Sequence, residues 1–119
     1  MFKIQIPFEI TREFIEDIMH KAISQGSAYW LENVKIDNPY PNSYKFSTSF
    51  ANGDPLLITN THDYKVRTIR LKDFKKGFLA HCEYRIKNKL PIYFESSDID
   101  IMIADEILQC IVFNDVIFG

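Results

Sequence analysis

The sequence predicts an α+β domain: about three helices packed on a small, mainly antiparallel sheet, with the C-terminal helix central and buried. Three observations lead there. Over residues 98–112, Ile101, Ile103, Ala104, Ile107, Leu108, Cys110, Ile111 and Val112 cover most of a helical wheel. Only one polar ridge remains, Asp105 and Gln109, with Glu106 on its flank and Asp98 one turn further back. A helix apolar on that many sides belongs in a core. Residues 11–26 and 72–88 each repeat apolar side chains at helical period. Between them, short alternating segments are separated by turn residues, the pattern of half-buried strands. At 119 residues the chain is one domain, long enough to bury a core without disulfides or metals.

In chain order, Phe2, Ile4 and Ile6 alternate with Lys3 and Gln5 and read as a strand stopped by Pro7. Thr11 is the expected cap of a first helix, with Glu13, Glu16 and Asp17 near its positive end. Phe14, Ile15, Ile18, Met19 and Ala22 form its apolar stripe, and Gly26 is expected to end it in left-handed geometry. On the wet face, Asp17 with Lys21 and Glu16 with His20 stand at i, i+4, which makes His20 a solvated surface residue. Residues 27–36 lead through Tyr29 and Trp30, the single tryptophan, into a strand. Such rings anchor cores or line interfaces, because each has an apolar body and one polar group to satisfy. Residues 37–43 are a loop, and Tyr44–Phe50 alternates like a strand. Asn52-Gly53-Asp54 is a turn, and Leu56–Thr59 completes an expected hairpin. A second turn at Thr61–Asp63 leads to the strand Tyr64–Leu71, whose outer face is expected to be basic. The next helix aligns Phe74, Phe78, Cys82 and Ile86 and ends near Pro91, with Lys75 and Arg85 inside its apolar arc as partners for something acidic. Ser96, Ser97 or Asp98 caps the last helix, and Val116–Phe118 reads as a short terminal strand.

The charge balance is −2 with a pI near 5.9, which gives no global pull toward nucleic acid or an anionic membrane. Charge is segregated, however: residues 65–89 are strongly basic, and from Leu90 onward there are six carboxylates and no Lys or Arg. The basic segment could bind a phosphate backbone, but Phe74 and Phe78 lie on the core stripe, so a solvated face matched to the acidic tail is the reading preferred over nucleic acid. Cys82 and Cys110 fall on apolar helix faces as small hydrophobes, and a disulfide between them is sterically conceivable but unneeded. The N-terminus has no basic region followed by an apolar run, and no stretch approaches the ~18 apolar residues of a membrane span. A cytoplasmic protein with no membrane partner is therefore expected.

Three landmarks carry a resemblance. A Tyr29-Trp30 pair follows Gly26, a charged helix contains Lys75-Lys76-Gly77-Phe78, and the chain closes on Asp98, Ala104-Asp105, Gln109, Phe113 and Ile117-Phe118-Gly119. The set resembles a group of small uncharacterised proteins carried by bacteriophages and other mobile elements, most closely over the last 22 or so residues. Asn114 stands where those relatives commonly have Gly, and Asn also tolerates left-handed geometry. The resemblance implies a phage or prophage setting and transfers no catalytic residue.

The candidate sites divide by chemistry. Asp98, Asp100 and Asp105 could together attract Mg²⁺ or Ca²⁺, but the spacing of a calcium loop is missing, and capping explains Asp98 and Asp100. Asp105 is expected in an ion pair with Arg85, Arg70 or Lys75, with Gln109 completing a structural polar network that includes Asp98. No thiol has a neighbour that would stabilise a thiolate, no Ser sits in a nucleophile elbow, and His20, His62 and His81 lack metal-ligand spacing. His81, at the edge of its helix's apolar stripe, is expected packed or solvent-facing. No cofactor, no metal and no catalytic residue are implied. The expected function is a non-catalytic binding protein of a mobile element. It would engage a host or phage protein as an inhibitor of a host defence system, and could form a homodimer. The alternative is a small-molecule or nucleotide-binding domain with Tyr29, Trp30, Arg67 and Arg85 around a cleft. A Mg²⁺-dependent enzyme is the third reading.

Overall fold

The computed structural model describes residues 9–119, so the strand expected over Met1–Ile6 lies outside the described residues. Helix α1 spans Arg12–Lys21 and begins as expected, with the Thr11 hydroxyl accepting from the Phe14 N–H at 3.1 Å. It runs into a π-helical turn, Ala22–Gly26, whose wide winding is closed by the Ser27 N–H on the Ala22 carbonyl at 2.8 Å. Gly26 is not left-handed; among the described glycines only Gly53 has positive φ. What Gly26 supplies is closeness: a Cβ there would sit 2.1 Å from the Ile101 carbonyl oxygen and 3.3 Å from Asp105 Cβ.

The sheet is antiparallel, in the order β1-β2-β3, with β1 at Leu31–Ile36, β2 at Leu56–Asn60 and β3 at Val66–Ile69. Register pairs Val34 with Ile58 and Ile58 with Arg67, and pairs Ile36 with Leu56 and Leu56 with Ile69. Side chains alternate faces along a strand, so Arg67 shares the core-side face with Ile69, while Val66 and Thr68 point outward beside Leu57 and Thr59. The outer face of β3 is therefore not basic, contrary to the sequence expectation. Arg67 instead reaches back to Asp63 at 3.0 Å and lies 4.9 Å over the Phe113 ring.

Residues 44–50 do not form the expected strand. Phe46–Ala51 is a short helix, α2, packed on α1, with the Thr48 hydroxyl donating to Glu16 at 3.0 Å. Asp54 sets this local structure: its carboxylate accepts from Asn38 at 2.7 Å, the Asn42 N–H at 2.7 Å and the Ser49 hydroxyl at 2.5 Å. Those bonds fold the 38–54 segment back on itself and turn Phe50 into the core. Strand β2 thus pairs with β1 and β3, and the hairpin expected with Tyr44–Phe50 does not exist. The wet face of α1 stays open at Asp17 and His20, but it is tied to the rest of the chain. Lys21 donates to the Ser96 and Ile99 carbonyls at 2.6 and 2.9 Å, and Asp17 accepts from the Ser96 hydroxyl at 3.0 Å, while His20 stays exposed.

Helix α3, Leu71–Lys87, is a residue or so from its expected bounds. Its end is a left-handed Lys89 with φ of 58°, fixed by Leu90 N–H to the Arg85 carbonyl and Lys89 N–H to the Ile86 carbonyl. A 3₁₀ turn at Ser96–Asp98 precedes α4, Ile101–Phe113, and Asp100 is the residue that caps it, accepting from the Ile103 N–H at 2.9 Å. Asn114 closes α4 in left-handed geometry, φ 63°. As expected, α4 is the centre of the core: Ala104, Ile107, Leu108 and Gln109 are fully enclosed by α1, α3 and the sheet. Its approach to α3 is close enough that a Cβ on Gly77 would fall 2.6 Å from Ile111 Cα.

Candidate functional site

The polar ridge of α4 is the most densely bonded polar site among the described residues, and its partners are not the expected ones. The buried Asp105 carboxylate accepts from the Ser27 hydroxyl at 2.8 Å, the Trp30 indole N–H at 2.7 Å, the Tyr29 hydroxyl at 2.5 Å and the Gln109 amide at 3.1 Å. All four donors are neutral. Among the described residues no Arg or Lys pairs with it, so the predicted ion pair to Arg85, Arg70 or Lys75 is corrected. The reason is rotational. Asp105 faces the 27–30 turn that Gly26 lets close in, whereas Glu106, about 100° further round the helix, faces α3. Glu106 takes the cation: Arg85 Nη1 lies 3.2 Å and His81 Nε2 2.8 Å from its Oε1. Burial works to raise the Glu106 carboxyl, but the His81 hydrogen bond and the His81 and Arg85 charges outweigh it and lower the pKa below its usual value. Arg85 is further held by the Pro91 carbonyl at 2.9 Å.

Gln109 extends the Asp105 network to the last residues. Its Oε1 accepts from the Ile117 N–H at 2.9 Å and the Phe118 N–H at 2.8 Å, and its Nε2 donates to the Phe118 carbonyl at 3.1 Å. One side-chain amide thus reads the backbone of residues 117–118 as a neighbouring strand would. Val116–Phe118 is not the strand the sequence suggested, but Phe118 does join the core margin. Its ring stacks on Trp30 at 5.7 Å and on His62 at 4.5 Å, and meets Phe113 edge-on at 5.6 Å. His62 is presented by a tight turn in which the Asn60 side chain accepts from the His62 N–H at 2.7 Å and donates to Asp63 at 2.8 Å.

Of the residues singled out from sequence, Tyr29, Trp30 and Arg67 gather around Asp105 and Phe113, and Asp105 and Gln109 form the heart of the network. Arg85 belongs to the separate Glu106 cluster. Asp98 is exposed in the 3₁₀ turn and makes no carboxylate hydrogen bond to another described residue, so it stands outside the network. Asp100 is spent on capping. Among the described residues no group of three or more His, Cys, Asp and Glu is placed to hold a metal. Ser27, His62 and Phe118 are members that sequence reading missed. For Phe118 the apolar run Val116–Phe118 did point to the core, whereas nothing local marked Ser27 or His62.

Chemically, the arrangement holds groups still. The Tyr29 phenol is pushed well above its ordinary pKa, first by burial of its hydroxyl and then by the hydrogen bond to Asp105 and that carboxylate's charge, so it remains a donor. Both thiols are pushed up by burial, Cys82 to about 11 with a contribution from Glu83, and Cys110 to about 12 with contributions from Asp115, Glu106 and Cys82. Neither is a nucleophile at neutral pH. Two open features adjoin the clusters just described. Tyr29 itself is 53% exposed although its hydroxyl is pinned. A groove of about 800 Å³ also lies between α3 and residues 114–116, lined by Glu83, Tyr84, Lys87 and Asp115 among others. No described helix is long and apolar enough to cross a membrane. Comparison of the chain with family models, curated proteins and solved structures gave no match to any of them.

Proposed function

We propose that the protein works without catalysis, as a binding protein of a phage or other mobile element. It acts by contact with another protein, and inhibition of a host defence system is the role we infer. The observation that supports this reading most is the exposed ring of Tyr29, fixed at its hydroxyl by Asp105 and Gln109. Interface anchors are typically aromatic side chains held rigid before the partner arrives, because little conformational freedom is then lost on binding. Tyr29 stands beside a line of α4 positions one turn apart, Ile101, Asp105 and Gln109. Ile101 is 42% exposed, its neighbour Met102 72%, and Ile117, held by Gln109, 52%. The absence of catalytic motifs in the sequence and its resemblance to mobile-element proteins point the same way. The alternative of a small-molecule or nucleotide-binding domain rests on less. Trp30 and Arg85, which it places beside a cleft, are buried and held in different clusters.

The test uses the exposed residues, whose replacement leaves the core intact. Ile101→Glu with Met102→Glu should keep the wild-type melting curve and lose both the partner that the wild-type protein captures from host lysate and any protection of phage against host defence. Retention of both activities by the double variant would remove the Tyr29 face from consideration.

A further inference from the structure

We propose that Trp30, His62, Phe113 and Gln109 form a receptor for an extended Ile-Phe peptide. Residues 117–118 fill it in cis, and the same segment of a second copy of this chain can occupy it in trans. This goes beyond the reading above, which places a partner at Tyr29 and leaves the terminal segment in its own chain.

The way the segment is held carries the inference. Among the described residues, no backbone-to-backbone hydrogen bond ties residues 115–119 to the body. Its main chain is read by Gln109, through three hydrogen bonds of 2.8 to 3.1 Å, with the Tyr29 hydroxyl 3.4 Å from the Phe118 carbonyl. Gln109 is fully buried, and its Nε2 is also bonded to Asp105 and Tyr29, so it presents a fixed acceptor and donor pair. Specificity comes from the ring: Phe118 lies between Trp30 and His62, at 5.7 and 4.5 Å, with interplanar angles of 25° and 16°. A bound peptide is held in this manner, through backbone groups for affinity and a side-chain slot for selection. None of these contacts depends on covalent continuity with α4. Between α4 and residues 117–118 stand three residues: Asn114, in left-handed geometry, and Asp115, both exposed, and half-buried Val116. Exchange of the segment between two copies therefore changes the backbone at that hinge and preserves every contact at the receptor, which is the condition for segment swapping. A tethered segment competes at an effective concentration of order mM, so the cis form prevails until the hinge disfavours it.

Three measurements test this. Phe118→Ala empties the aromatic slot, and Trp30, the single tryptophan, reports on its filling. An N-acetylated, C-amidated peptide with the sequence of residues 115–119 should change Trp30 emission of that variant saturably and raise its Tm. The same peptide with Ala in place of Phe should do neither, and the wild-type protein should respond at least tenfold more weakly. No saturable response at up to about 1 mM peptide overturns the receptor. Should Phe118→Ala fail to fold, His62→Ala removes only an exposed ring. It should raise amide exchange of Ile117 and Phe118 at least tenfold without changing that of Leu108, and equal exchange would overturn the proposal. For the second copy, Asn114→Val disfavours the left-handed hinge and should shift sedimentation from monomer toward a dimer that exchanges with wild-type protein. An unchanged distribution at every concentration overturns exchange in trans.

Discussion

Asp105→Ala removes one acceptor and strands several donors, so its cost can be worked from the hydrogen bonds. Of the four donors, Tyr29 is half exposed and can turn to water, and Gln109 keeps the Phe118 carbonyl and the Tyr29 oxygen. Ser27 and Trp30 have no such recourse: both residues are fully buried, and Asp105 Oδ1 is the acceptor for each side chain, at 2.8 and 2.7 Å. A buried donor left without a partner costs about 1–3 kcal/mol, so two cost about 2–6, and we expect about 4 kcal/mol. Native domains are stable by only about 5–15 kcal/mol in total, so this is a large share. At about 4 °C per kcal/mol for a chain of this size, Tm should fall by about 15 °C. Asp105→Asn keeps an oxygen for Ser27 and Trp30 and turns an NH₂ group toward the Tyr29 oxygen, which can accept, and the Gln109 amide NH₂, which cannot, so it should cost about 1–2 kcal/mol. Urea unfolding followed by far-UV circular dichroism and Trp30 emission measures both. A loss below about 1 kcal/mol for Asp105→Ala, or equal losses for Ala and Asn, would refute the assignment of the carboxylate as a neutral-donor clamp.

Gly77→Ala should destabilise the protein even though Ala is the better helix former. The new Cβ would lie 2.6 Å from Ile111 Cα and Cγ1 and 2.7 Å from its N, and backbone atoms cannot swing aside. Overpacking of about 1–3 kcal/mol then exceeds the roughly 1 kcal/mol gained in helix propensity, and a thermal melt at or above that of the wild type would contradict the close α3–α4 contact. Acid should weaken the fold through Asp54 and Asp63. Hydrogen bonds from Ser49, the Asn42 N–H and Asn38 hold the Asp54 carboxyl at about 2 against an ordinary 3.8, and Arg67 and the Lys65 N–H likewise hold Asp63 at about 2. The native state thus binds fewer protons than the unfolded chain between those values. Their stabilisation is complete above about pH 4 and is lost as pH falls toward 2. Denaturant unfolding from pH 5 to pH 2 should show this slope, shallower in Asp54→Asn, and the same slope in wild type and variant would remove Asp54 from the account.

What could be read from the sequence follows from local physics. The period of apolar residues located α3 to within a residue and found α1 and α4, although α1 gives way to a π turn after Lys21 and α4 starts a few residues later than expected, because a helix buries a stripe that its own spacing records. The Thr11 cap and the turns at 52–54 and 61–63 were legible for the same reason, since each depends on residues a few positions apart. The strand expected at Tyr44–Phe50 failed because alternation of Ser and Thr with aromatics is a weak signal, and hydroxyls readily bond to groups outside a ladder. Asp54 supplied such a group.

The site was half legible. Asp105 and Gln109 stood out because a polar ridge on a buried helix must be satisfied somewhere. Which groups satisfy it was beyond any local rule. The donors at 27–30 lie some 75 residues away, and Gly26 brings them to α4 through a close approach instead of the left-handed turn expected of it. One residue of helical rotation then decided that Glu106 receives Arg85 and that Asp105 receives only neutral donors. That this helix is buried, and that its ridge needs partners, follows from the apolar pattern alone. Their identity depends on the angle at which α4 meets its neighbours, and that angle is set by the packing of the whole chain.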